Sequence, residues 1–159
     1  MQNNWARKQI ASVEQAYAKA PHLAQFWLPI KTILEEKHDT LVSLNVAIIR
    51  EMGRLLGCTT PLYLASELPV TEADPTQRLI ALTRHFDGDT YLSGSEGRNY
   101  LDGSAFTDAE LSLLFQNVTP PTYPQLHGPF IPYLSALDVL LNMGKDAKKL
   151  ILEMGDMQI

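Results

Sequence analysis

Tyr91-Leu92-Ser93-Gly94-Ser95-Glu96-Gly97-Arg98-Asn99-Tyr100-Leu101-Asp102 runs from a short apolar segment straight into glycines and hydroxyls. Strand formers that stop at glycine and serine predict a strand over 90–93 and a helix over roughly 95–101. The pattern repeats outward. Upstream, Asp74-Pro75-Thr76-Gln77 combines a cap, a first-turn proline and a glutamine three places after the cap, which opens a helix ending near Gly88. Downstream, Thr107-x-x-Glu110 reads as a capping box in a turn, and Leu111-Ser112-Leu113-Leu114-Phe115 as a further strand. Pro61-Leu62-Tyr63-Leu64-Ala65 is a first strand. The order β-α-β-α-β predicts a small three-layer α/β fold on a largely parallel sheet, since parallel neighbours need right-handed crossovers.

Helical patterns precede that core. Ile10, Val13, Ala16 and Tyr17 recur at three- and four-residue steps before Pro21, and Leu23, Phe26, Trp27, Ile30, Ile33 and Leu34 do so after it. From Asp39, read as an N-cap, the set Leu41, Leu44, Ile48, Met52, Leu55 and Leu56 continues to Gly57, a C-terminal stop. A last helix spans Leu134 to Asn142 and closes at Gly144, and 145–159 reads as a fraying helical tail. At 159 residues, one domain is expected across 1–159, with a helical segment to residue 58, an α/β segment over 59–144 and the tail.

Composition narrows the function. There are 13 lysines and arginines against 18 acids, for a formal charge of -5, and the basic residues are scattered rather than striped. Nucleic acid is therefore a poor partner. Cys58 is the single cysteine, so no disulfide forms within the chain, and its place after the helix stop at Gly57 puts it at the dipole end that opposes a thiolate. The first residues lack the apolar core of a secretory signal, and no apolar run approaches the ~18 residues that cross a bilayer, so a cytoplasmic protein with no membrane partner is expected.

Three groups could carry chemistry. Beyond the carboxyl end of a strand, Gly94 lets a phosphate or carboxylate come close to the backbone, Ser93 and Ser95 offer hydroxyls, and Arg98 can grip two oxygens at once. The plain alternative is that Gly94 makes a turn, Ser95 caps a helix and Arg98 is solvated. Between Pro120 and Pro132, five prolines stiffen a loop that holds Tyr123, Gln125 and His127, and His127 is the candidate acid or base because imidazole titrates near neutrality. The alternative for it is a hydrogen-bonded loop histidine. Asp138 and Asn142 lie four apart on one face of the last helix, and a carboxylate inside so apolar a helix needs a partner. Candidates are Arg98, a backbone amide, a substrate amine or His127. His22, His38 and His85 share no ligand spacing, so no metal is expected.

The stretches 91–102, Tyr123-Pro124-Gln125-Leu126-His127-Gly128-Pro129-Phe130 and 134–142 together resemble the WbqC-like family, found among surface-polysaccharide and natural-product biosynthesis proteins. The resemblance runs from Trp5 to about Gly144 and corresponds to the later part of the family pattern. The family's N-terminal motif of the type His-Gln-Pro-x-Tyr-Leu-Pro-Trp has no match in the chain. The resemblance implies a biosynthetic enzyme, an acyl- or aminoacyl-type transferase working on an amino sugar or nucleotide sugar; it names no cofactor, and a nucleotide or nucleotide sugar enters as a candidate substrate. In that reading His127 and Asp138 are catalytic, and Ser93, Gly94, Ser95, Arg98, Tyr123, Gln125 and Asn142 bind the anionic substrate. The alternatives are a non-catalytic scaffold domain of such a pathway, or a truncated remnant that seeks a protein partner or its N-terminal half.

Overall fold

The computed structural model describes residues 4–158. The chain runs α1 (Asn4–Ala16), α2 (Leu23–Glu35), α3 (Leu41–Leu55), α4 (Pro75–His85), β1 (Thr90–Gly94), α5 (Gly103–Asp108), β2 (Ser112–Val118), α6 (Ala136–Met143), α7 (Ala147–Leu152) and β3 (Gly155–Gln158), with 3-10 turns at Ala65–Glu67, Ser95–Asn99 and Gly144–Asp146. It is an α/β protein led by helices, as the periodicity predicts. Its contacts gather into two units, one of the chain up to Pro61 with Pro120–Glu153, the other of Leu62–Thr119 with the stretch from Met154.

The first unit is helical. Ile10 of α1, Phe26, Trp27 and Ile30 of α2, and Leu140 and Leu141 of α6 form its core. Burying leucines as completely as 140 and 141 contributes about 1.5–3 kcal/mol each. The start of α3 differs from expectation by one residue. Thr40, not Asp39, is the cap: its hydroxyl accepts from Ser43 N at 3.0 Å while Thr40 N donates to Ser43 Oγ at 3.3 Å. A serine at the third position thus does what glutamate does in the usual capping box.

In the second unit, β1 and β2 pair in parallel with Ser93 opposite Phe115, and β3 pairs antiparallel with β2, Phe115 opposite Gln158. The sheet order is β1-β2-β3, so the sheet is mixed. Three expectations are corrected. Residues 61–65 form no strand, because Pro61 lacks an N–H and Tyr63 instead lays its ring on Phe86 at 4.8 Å between centroids. The tail is α7 followed by β3, which pairs only because the edge of β2 is there to receive it. The segment after β1 is a 3-10 turn over Ser95–Asn99, and Asp102 caps the real helix, α5, by accepting from Ser104 N at 2.9 Å.

Helices α3, α4 and α5 stop in the same way. In each, the N–H two places past the helix cap reaches back five residues, Cys58 to Gly53, Gly88 to Thr83 and Leu111 to Phe106, at 2.8, 2.9 and 2.9 Å. This Schellman closure needs a left-handed residue just before that donor. Glycine fills it at Gly57 (φ 69), but Asp87 (φ 53) and Glu110 (φ 57) fill it in α4 and α5. Thr107 and Glu110 therefore make a helix end, not the capping box their spacing predicts. The α4 helix does begin as expected, with Asp74 Oδ1 accepting from Gln77 N at 2.8 Å.

Candidate functional site

The predicted residues assemble into two clusters, one in each unit. At the carboxyl end of β1, Ser93 is buried and its hydroxyl donates to Gly94 O at 3.1 Å. The 3-10 turn folds back over it so closely that a β-carbon at Gly97 would overlap Ser93 Oγ, which is why that position is glycine. Gly94 has open space where a β-carbon would stand, and its φ of -65° is one any residue adopts. Its backbone is accessible, and Ser95 beside it is exposed.

Arg98 is not simply solvated. Its guanidinium lies over the Phe115 ring, 4.3 Å from the centroid, and it takes part in no ion pair among the described residues. A guanidinium over an aromatic face gains a cation–π contact and keeps N–H groups for a planar or tetrahedral oxyanion. Sequence reasoning missed Phe115. Its signal was alternation: two residues on from Leu113 and paired with Ser93, it falls on the inner face of the sheet.

The second cluster centres on Asp138, 4% exposed near the start of α6. Tyr17 OH donates to Oδ1 at 2.8 Å and Asn142 Nδ2 to the same oxygen at 3.1 Å. Tyr123 OH donates to Oδ2 at 2.7 Å, and Gln125 Nε2 to it at 3.0 Å. Gln125 also ties the loop to itself, accepting from Ile131 N at 2.8 Å and donating to Ile131 O at 3.0 Å. The partners foreseen for Asp138, an arginine or His127, are replaced by neutral donors from Tyr17 just past α1, the proline-rich loop and α6 itself. Tyr17 was counted only as part of an apolar stripe. The overlooked signal was its hydroxyl, since a buried tyrosine needs a polar partner. Burial and the neighbouring carboxylate both disfavour phenolate here, so Tyr17 is pushed well above the ordinary tyrosine value and Tyr123 up to about 12.

His127 stands apart from Asp138. Its Nε2 is 2.7 Å from Ala16 O, the last carbonyl of α1, so Nε2 carries the hydrogen and caps that helix. The loop reaches the position through two left-handed residues, His127 (φ 69) and Gly128 (φ 98). No grouping of three potential metal ligands occurs among the described residues, and none of their helices is long and apolar enough to cross a membrane.

The model of the WbqC-like protein family matches residues 1–150. The chain is also similar to an uncharacterized protein of Mycobacterium tuberculosis (strain ATCC 25618 / H37Rv), Rv1507c, with 32% identity over 148 residues that cover 91% of this chain and 63% of that protein. No solved structure matches.

Proposed function

The chain belongs to the WbqC-like protein family, and from that premise we propose that it binds an anionic biosynthetic substrate, a nucleotide sugar or nucleotide-linked amino sugar, at the turn from Gly94 to Arg98, for acyl or aminoacyl transfer to the sugar. One observation carries the reading: the Arg98 guanidinium lies over Phe115 and pairs with no carboxylate among the described residues, beside an exposed hydroxyl and open backbone. A phosphate there would exchange water for charge-assisted hydrogen bonds from a preoriented group. The test is calorimetric titration with a uridine diphosphate amino sugar. Saturable binding that weakens at least tenfold in Arg98→Ala is expected, and binding indifferent to that change would sink the assignment.

A second reading has its own support. Both oxygens of Asp138 are occupied by donors and His127 Nε2 caps a helix, so these two residues do not form an idle acid–base pair. That favours a binding or scaffold domain whose chemistry lies with another protein of the pathway. Turnover separates the two, because His127→Ala lowers kcat in the enzyme reading and leaves pathway output unchanged in the other.

A further inference from the structure

Beside β2 lies an open cavity of about 510 Å³, lined by Phe106 and Thr107 of α5, by Leu111, and by β2 from Ser112 to Phe115. Its size falls within the range of small-molecule sites, and its walls are mostly apolar. Phe106 is wholly buried behind it, its ring stacked on Tyr91 at 5.8 Å, so that wall is fixed.

One end of the cavity carries a negative charge, and the ring at the other end is covered by a positive one. Glu110 lines it where α5 ends. At the other end Phe115 lines it, and over that ring lies the Arg98 guanidinium, which is not itself a lining residue and has no ion-pair partner among the described residues. At the rise of an extended strand, residues 111 and 115 stand roughly 13 Å apart. An apolar chain lying along β2 would therefore meet repulsion for an anionic head at the Glu110 end and attraction at the Phe115 end.

We infer that this cavity takes the apolar part of a small amphipathic anion, an acyl-type chain whose carboxylate or phosphate head is held by Arg98. The inference rests on the reading of Arg98 as an oxyanion ligand and adds a class of molecule to it. The cavity supplies apolar contact, Arg98 orients the head, and Glu110 sets the direction of insertion.

Octanoate and octanol are the probes, titrated into the intact chain. Octanoate is expected to saturate at one site, to weaken about tenfold in Arg98→Gln, and to be excluded by Thr107→Trp, which places an indole in the cavity from an exposed position on α5. Octanol, lacking the charge, should respond to Thr107→Trp and not to Arg98→Gln. On the unaltered protein, nuclear Overhauser contacts from the octanoate methyl group to Phe106 and Leu113 give a reading independent of any variant's folding. Contacts elsewhere, or binding untouched by either substitution, overturn the inference. Binding of the nucleotide sugar without binding of octanoate would overturn it alone. Octanoate bound at Arg98, with no nucleotide-sugar binding, would overturn the proposed function alone.

Discussion

Asp138 and Arg98 are both charged groups set against apolar surroundings, yet the molecule treats them differently. Asp138 lies deep in the helical unit and receives hydrogen bonds from Tyr17, Tyr123, Gln125 and Asn142, which join the turn after α1, helix α6 and the loop between β2 and α6. Arg98 lies at the surface of the α/β unit, stacked on one ring and paired with no carboxylate among the described residues. Leaving a buried carboxylate unpaired is costly, so the first arrangement is what holding a loop in place requires. An exposed guanidinium can wait for an anion at little cost, so the second suits a ligand. The contrast teaches that the residue with the stronger appearance of catalysis, an acid within an apolar helix, is the better placed to hold structure.

The comparison breaks most visibly at Asp138. Asp138→Ala removes the carboxylate that four buried or half-buried donors share, and urea denaturation should show a loss of about 3 kcal/mol or more. If stability holds while turnover disappears, Asp138 belongs to the chemistry after all. Gly97→Ala comes next, at about 2 kcal/mol, because its β-carbon meets Ser93 Oγ. Ser93→Gly in the same chain should restore much of that loss, and failure of the rescue would place the strain elsewhere.

Smaller effects sharpen the contrast. Tyr123→Phe removes one charge-assisted hydrogen bond and should cost about 1.5 kcal/mol. The tyrosine shifts also fix a pH dependence. With Tyr123 raised from 10.0 to about 12, the folded state holds its phenolic proton where the unfolded chain releases it. The contribution is therefore complete below pH 10 and is lost as pH rises from about 10 to about 12. In Tyr123→Phe the alkaline fall in stability should become shallower, and a curve unchanged from wild type would contradict a Tyr123 phenol raised by burial and by its hydrogen bond to Asp138. Asp87→Gly and Glu110→Gly relieve left-handed backbone at two helix ends and should each add about 0.5–1 kcal/mol. Neither should alter the Asp138 network.

Local signals were legible where local chemistry decides. The caps at Asp74 and Gly57, the apolar stripes of α1 to α3 and the strand ending at Gly94 could be read because each element's fate rests on a few neighbouring residues. β3 was hidden because Gly155-Asp156-Met157-Gln158 has no strand periodicity and is extended only where β2 offers an edge. Residues 61–65 misled for the converse reason: apolar enough for a strand, they have no neighbour to pair with.

Of the site, the sequence by itself determined which groups were unusual: a glycine-flanked arginine after a strand, an acid in an apolar helix, and a histidine in a stiff loop. It also determined that Asp138 needed a partner, because no buried carboxylate is stable without one. Only the tertiary structure decided what those partners are. Tyr17 lies 121 positions away from Asp138 in the chain, and Phe115 reaches Arg98 through strand pairing rather than through sequence proximity. Hydrogen bonds and stacking act over a few ångströms of space, and which residues share that space is settled by how helices and strands pack, not by their order along the chain.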